Sequence, residues 1–145
     1  LIGIDVTMQN SFNARLDYKK SRSITMSFVN NQMTEVNSSE ISVGVGYRFK
    51  NIKFSVVSGG KKNNFNSDLN IKADFGIRDN ITFLRRIDDD NNQISAGAKQ
   101  FTFNFTADYM LSKSLQLRFY YNWNNNTPYI SSQYATASTS GGFSL

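Results

Sequence analysis

Large apolar residues occupy every second position over residues 100–124, and polar residues fill the positions between them. Phe101, Phe103 and Phe105 open this run, and the same rhythm returns after a short interruption over residues 115–123. Side chains two apart along a strand point to the same face of a sheet, whereas a helix needs a spacing of three or four. The pattern therefore predicts two long strands that share one apolar face and one polar face.

The same alternation predicts an all-β chain with about nine strands and no helix over its 145 residues. Tight turns are predicted at residues 9–11, 50–51, 78–80 and 112–114. Long polar loops are predicted between them, at residues 30–40, 58–67, 88–97 and 124–140. Short turns that alternate with long loops are typical of an antiparallel up-and-down meander, with every long loop at one end and every tight turn at the other.

Composition excludes several kinds of chemistry. The chain has no cysteine and no histidine, which excludes disulfides and thiolate metal sites and removes the commonest general base. Residues 88–90 are three consecutive aspartates that could offer oxygen ligands to calcium, but they lack EF-hand spacing and read better as a solvated loop. The net charge of +5 is scattered, which argues against nucleic acid as a partner. No catalytic, cofactor-binding or metal-binding residue is predicted.

The apolar face needs a covering medium, either a second sheet or lipid. Alternation continues for 11 to 13 positions over residues 68–78 and 99–111. Strands that span a membrane need about 9–11 residues, whereas strands of soluble proteins cluster near 5–6. The polar reverse side also suits a water-filled lumen better than a packed core. Lipid is therefore the favoured medium, and a soluble cell-surface β-sandwich that acts as a binding module is the alternative.

The alternation also assigns individual side chains to the two media. The residues predicted to face lipid are Leu69, Ile71, Phe75, Phe101, Phe103, Phe105, Leu117 and Phe119. The residues predicted to face the lumen are Asn70, Lys72, Asp74, Asn104 and Arg118. The aromatic residues expected at the membrane interfaces, because they lie near predicted strand ends, are Tyr18, Tyr47, Tyr109, Tyr121 and Trp123.

Nine strands do not make a complete bacterial barrel, because single-chain barrels have an even number of strands. An open sheet in hydrocarbon would also leave unpaired backbone groups at its two edges. We therefore expect residues 1–145 to be a single segment of a longer barrel chain, within a very large transmembrane β-barrel.

Three stretches carry a resemblance to a known family: LIGIDVTMQNSFNARLDYKKSRSITMSF at 1–28, NNQMTEVNSSEISVGVGYRFKNI at 30–52 and NTPYISSQYATASTSGGFSL at 126–145. They are similar to the C-terminal region of the SprA (also called Sov) family, the outer-membrane translocon of the type 9 secretion system in Bacteroidota. The resemblance implies a protein-conducting pore that exports folded cargo proteins across the bacterial outer membrane.

The same resemblance implies partners as well as a location. Those partners are outer-membrane lipid, a small barrel of the PorV type, a periplasmic plug protein and the secreted cargo. It implies no catalytic residue and no cofactor. A third interpretation, a barrel enzyme of the outer-membrane protease or lipase type, is disfavoured because the chain has no histidine.

Overall fold

A computed structural model describes residues 1–9, 11–29, 31–58, 60–86, 91–112 and 115–145. These residues form one antiparallel sheet in which seven strands follow one another in chain order, with the first and last strands at its edges. The strands are β1 (Ile2–Thr7), β2 (Phe12–Ser27), β3 (Gln32–Ser58), β4 (Lys61–Arg86), β5 (Asn91–Ser112), β6 (Leu115–Pro128) and β7 (Thr136–Ser144). The predicted all-β, antiparallel up-and-down meander is confirmed.

The sheet has seven strands in the described residues rather than about nine, because two predicted tight turns are not turns. At residues 50–51 the register between β3 and β4 shifts from Phe49 to Ile52, and Asn51 has a φ of 57°, so the chain forms a β-bulge and continues. Residues 78–80 lie inside β4 and pair with both β3 and β5. Short polar stretches serve turns and bulges alike, so sequence could not separate the two.

Most residues of the predicted long loops are strand. β3 begins at Gln32, β4 begins at Lys61 and β5 begins at Asn91, so the intervals 30–40, 58–67 and 88–97 mainly extend neighbouring strands. In the interval 124–140, only residues 129–135 separate β6 from β7. These extensions are polar on both sides of the strand, which removes the alternation while the backbone pairing continues.

The chain reverses at two ends of the sheet. At what we call the loop end, β2 leads to β3, β4 leads to β5 and β6 leads to β7. At what we call the turn end, β1 leads to β2, β3 leads to β4 at Gly60, and β5 leads to β6. The prediction that all long loops share one end is therefore wrong for 58–67, because β3 leads to β4 at the turn end. The turns predicted at 9–11 and 112–114 include residues 10, 113 and 114, which lie outside the described residues, and the antiparallel pairing of the flanking strands agrees with a reversal in each interval.

The strand register places the alternating apolar residues on one face, because neighbouring strands stay in phase. Leu16 is opposite Val43, Val43 is opposite Phe75, and Phe75 is opposite Phe103. The residues that we call the apolar face are Ile2, Ile4, Val6, Phe12, Ala14, Leu16, Tyr18, Ile41, Val43, Val45, Tyr47, Phe49, Leu69, Ile71, Ala73, Phe75, Ile77, Phe101, Phe103, Phe105, Ala107, Tyr109, Leu117, Phe119, Tyr121 and Trp123. The opposite side is called the polar face.

The sheet is a single layer in the described residues. The chain exposes 10601 Å², whereas a compact monomer of its mass, 16.4 kDa, would expose about 7,500 Å². Tyr109 is the one apolar side chain that is buried among the described residues, and large residues such as Ile41, Val45 and Phe75 are exposed. The apolar face thus has no protein core of its own within this part of the chain.

Candidate functional site

The apolar face carries all eight residues predicted to face lipid. Across β4 and β5, Ile77 is opposite Phe101 and Phe75 is opposite Phe103. Across β5 and β6, Tyr109 is opposite Leu117. The structure therefore confirms that these residues share one side of the sheet, and their contact with lipid stays a prediction.

Side chains on the apolar face fit one another by size. Ala73 lies opposite Phe105, and Ala107 lies opposite Phe119. Ring centroids are 6.0 Å apart for Phe105 and Phe119, and 5.2 Å apart for Phe119 and Phe143. Aromatic pairs at such separations stabilise a sheet laterally. The contacts run along the surface, so they hold strands together without covering the outer side of the rings.

The polar face carries the five residues predicted to face the lumen. Asn70 and Lys72 lie on β4, and Asp74 faces Asn104 across β4 and β5. Arg118 faces Asp108 on β5, and its Nε lies 2.6 Å from Asp108 Oδ1. The sharing of one face is confirmed, and the identity of the medium on that side stays a prediction.

Charges on the polar face are matched by opposite charges on the same face. Arg78 Nη2 lies 2.9 Å from Glu40 Oε2, and these residues are directly opposite one another on β3 and β4. Arg15 Nε lies 2.6 Å from Asp17 Oδ2. The arginine side chains are 49% and 65% exposed, so each pair contributes little to stability. The arrangement gives a hydrated, charge-balanced surface.

Glycines on the polar face let side chains of neighbouring strands converge. A Cβ built on Gly44 would lie 2.6 Å from Asp74 Oδ1, and one on Gly46 would collide with the Asn13 side chain. In the same strand Val43 and Val45 are exposed on the apolar face, whereas Gly46 is buried. Glycines at such positions allow a sheet to bend. These glycines would allow the sheet to bend towards its polar face.

The predicted interfacial aromatic residues lie on the apolar face at different heights. Tyr18 is the last apolar residue of β2 before the loop-end extension, and Trp123 holds the same place on β6. Tyr47 and Tyr109 lie towards the turn end, where the Tyr109 hydroxyl donates to the Ile52 carbonyl at 3.0 Å. Tyr121 lies between Phe119 and Trp123, inside the face rather than at its edge.

Sequence reasoning missed a charged cluster beyond the loop-end edge of the apolar face. Glu35 is 3% exposed, and its Oε1 accepts from Arg22 Nε at 2.6 Å and from Asn37 Nδ2 at 3.0 Å. Arg85 also forms an ion pair with Glu35, in which Arg85 Nη2 lies 2.7 Å from Glu35 Oε2. The hydrogen bonds from Arg22 and then Asn37 hold the pKa of the Glu35 carboxyl below its ordinary value, although burial opposes them.

This cluster lies on the same side as the apolar face, because Ile24 and Phe83 are opposite Glu35. Residues 30–40 were predicted to be a loop, so the pairing of Glu35 with residues of β2 and β4 was not foreseen. The available signal was the unbroken phase of β2, in which Arg22 falls in step with Tyr18 and Ile24.

No metal site or membrane-spanning helix is found within the described ranges. No group of three or more histidine, cysteine, aspartate or glutamate residues there could hold an ion. The aspartates at 88–90, considered as calcium ligands, lie outside the described residues. Nor does any helix in the described part of the chain have the length and apolarity to cross a bilayer.

No protein-family model matches the chain, and no curated protein gives a match either. The fold and its two faces define the chain as an all-β antiparallel meander, with a polar, ion-paired side and an uncovered apolar side.

Proposed function

We propose that the chain forms part of the wall of a transmembrane β-barrel in the bacterial outer membrane. The apolar face contacts lipid, and the polar face lines a water-filled interior. The observation that supports this most directly is a continuous, exposed apolar face on one side of the sheet, opposite a charge-balanced polar face on the other side. Outer-membrane barrels alternate in this way along each strand.

The height of the apolar face fits a bilayer. It covers positions 41–49 on β3, 69–77 on β4 and 101–109 on β5, which is nine residues in each strand. Nine residues extend about 30 Å along a strand, or about 23 Å once the strand is tilted by about 40°. The lipid-facing band of outer-membrane barrels is about 25 Å tall.

A soluble β-sandwich that acts as a binding module remains the alternative. The placement of glycines on the polar face disfavours it. A sandwich sheet bends around its apolar core, whereas the glycines at 44 and 46 allow this sheet to bend towards its polar face. β3 and β4 are also 27 and 26 residues long. Strands of soluble proteins are usually about 5–6 residues long.

The two edges of the sheet require partners in a membrane. β1 and β7 each pair with one neighbour in the described structure. Unpaired backbone groups in hydrocarbon cost several kcal/mol each. We therefore infer that additional strands close the barrel and that residues 1–145 are a segment of a longer barrel chain.

The cargo of this barrel is inferred from the resemblance of residues 1–28, 30–52 and 126–145 to the SprA (Sov) family. On that basis the barrel conducts folded proteins across the outer membrane, together with a PorV-type small barrel and a periplasmic plug protein. The wall contributes steric width, a hydrated lining and balanced charge. No bond is made or broken by this segment.

Single-cysteine labelling tests the assignment of the two media, because the chain has no cysteine of its own. Phe103→Cys and Asn104→Cys are made in the full-length protein, with any cysteine elsewhere replaced, and the protein is inserted into vesicles. A fluorophore at 103 should be quenched by a lipid-borne quencher, and one at 104 by a water-soluble quencher. Quenching of both positions only from water would contradict membrane insertion and favour the sandwich.

A further inference from the structure

The apolar face ends at the loop end in a row of cations. Lys20 follows Tyr18 by two residues on β2, and Lys99 precedes Phe101 by two residues on β5, so both keep the phase of the apolar face. Arg22 lies two residues further along β2. We call Lys20, Arg22 and Lys99 the loop-end collar.

The collar lies at the height of lipid headgroups if the apolar face spans the hydrocarbon. Two residues along a tilted strand raise a side chain by about 5 Å, and four residues raise it by about 10 Å. The headgroup layer on each side of a bilayer is about 5–8 Å thick. Lys20 and Lys99 therefore fall within this layer, and Arg22 lies just beyond it.

The Lys99 side chain has the shape expected at such a boundary. Its Nζ lies 5.6 Å from the centroid of the Phe101 ring, which is a cation–π contact at the loop-end edge of the apolar face. Lysine side chains, with an apolar stem and a charged tip, are favoured where hydrocarbon meets headgroups.

Positive charge exceeds negative charge on this side of the loop-end extension. Among its described residues the cations are Lys20, Arg22, Arg85 and Lys99, and the anions are Glu35 and Asp79, which leaves a net charge of +2. The Asp79 carboxylate accepts a hydrogen bond from the Tyr129 hydroxyl at 2.8 Å. Glu35 is matched by two arginines, Arg22 and Arg85.

A depression at this edge offers room for a headgroup. Its lining includes Lys20, Asn37, Ser39 and Asp79, and one amide N–H of Asn37 donates to Glu35. An ammonium group, an amide N–H and a hydroxyl are all donors to phosphate oxygens. Asp79 lies on the side of the depression nearest Lys99, because it is opposite Lys99 in the sheet. An anion therefore fits better on the other side of the depression, next to Lys20.

Building on the proposed function, we propose that the loop-end collar binds the phosphate groups of anionic lipids in the leaflet at the loop end. Lys20, with Asn37 and Ser39, holds one phosphate in the depression, and Lys99 attracts headgroups on the other side of Asp79. The collar thereby fixes the height of this wall segment in the bilayer. Anionic headgroups attract basic residues near a membrane surface through the same electrostatics.

The test uses the full-length protein in vesicles of phosphatidylcholine with one-fifth phosphatidylglycerol. Energy transfer from the protein to labelled lipid measures the enrichment of phosphatidylglycerol around the protein. Lys20→Gln and Lys99→Gln should each lower the enrichment by about fivefold. The controls are Lys19→Gln and Lys72→Gln, made one at a time, since both lysines lie on the polar face and each substitution removes the same single charge. Each control should retain the enrichment of the natural sequence.

Three outcomes would overturn the collar while leaving the barrel in place. The first is unchanged lipid enrichment in the Lys20 and Lys99 variants, and the second is an equal loss of lipid enrichment in the controls. The third is complete competition by millimolar inorganic phosphate, which would indicate an ion site rather than a lipid site. Failure of the natural sequence to insert into any vesicle would instead overturn the proposed function, and the collar with it.

Discussion

On the apolar face, neighbouring strands meet through side chains of unequal size, such as Ala107 beside Phe119, whereas on the polar face they meet through opposite charges, such as Asp108 beside Arg118. Both kinds of contact occur in the same two strands, one residue out of phase. The backbone pairing and the strand length are identical for the two sets. The medium on each side is therefore the variable that separates the residues of one face from those of the other.

The faces also differ in what they tolerate. The apolar face has open space above it, so its large side chains are limited by the medium rather than by neighbours. On the polar face, side chains such as Asn13 and Asp74 lie over glycines of the neighbouring strand. Charge should be costly on the first face, and added volume should be costly on the second.

The largest effect is expected from arginine placed at adjacent positions on the two faces. Phe103→Arg puts a guanidinium near the middle of the apolar face, opposite Phe75, where it should cost about 2–4 kcal/mol. Asn104→Arg puts the same group opposite Asp74 on the polar face, where it stays hydrated. The measurement is the amount of heat-modifiable, membrane-inserted full-length protein.

Asn104→Arg is the matched control for this prediction, because the two positions share one strand and differ only in facing. Equal insertion of both variants would remove the difference between the faces, and the barrel would no longer be supported.

A smaller and opposite effect is expected from added volume. Gly46→Val places three carbons against Asn13 on the crowded side and should lower the free energy of unfolding by about 1–3 kcal/mol, although valine is the better strand former. Val45→Ile adds a methylene to the exposed apolar side and should change it little. Urea unfolding of the full-length protein in detergent micelles measures both. A more stable Gly46→Val variant would contradict the crowding of Gly46 by Asn13 on the polar face.

A third prediction follows from the proposed contact with lipid, which would leave polar atoms on the apolar face without water. Tyr109→Phe removes the hydrogen bond to the Ile52 carbonyl, next to the bulge at residues 50–51. The expected loss is about 1 kcal/mol, because the carbonyl loses its donor at a buried site. Tyr120→Phe is the control on the polar face, where water replaces a lost hydroxyl. The same urea experiment measures the difference, and equal losses would show that both hydroxyls see the same medium.

How far the sequence predicted this structure depends on whether a strand has one apolar side. Positions 69–77 and 101–109 alternate cleanly, and their strands and faces were predicted correctly. At Ser38, Ser39 and Glu40 the strand is polar on both faces. The part of β3 that contains them was therefore predicted to be a loop. Alternation reports a difference between two media, and it vanishes where both sides of a strand are in water.

The turn predicted at residues 50–51 is a bulge, at which β3 continues. Between β4 and β5 the register also shifts at Phe83, where Ile94 rather than Ser95 is the partner. The prediction of about nine strands had divided β4 at residues 78–80, yet β4 runs through to Arg86. A bulge adds one residue to one strand, so it changes which neighbours meet without changing the composition that sequence reasoning reads.

The smallest effect is expected from an ion pair on the polar face. Arg118→Gln removes the contact with Asp108, in which the arginine side chain is 52% exposed. Exposed pairs are worth about 0–1 kcal/mol, and salt screens them further, so the loss of stability should be below about 1 kcal/mol and should shrink in 1 M salt. Unfolding of the full-length protein by urea at low and high salt measures both quantities. A loss above about 2 kcal/mol that persists in 1 M salt would mean that the pair is shielded from water. In that case the polar face would be packed against protein, and the contrast with the apolar face would have to be explained by something other than a lumen.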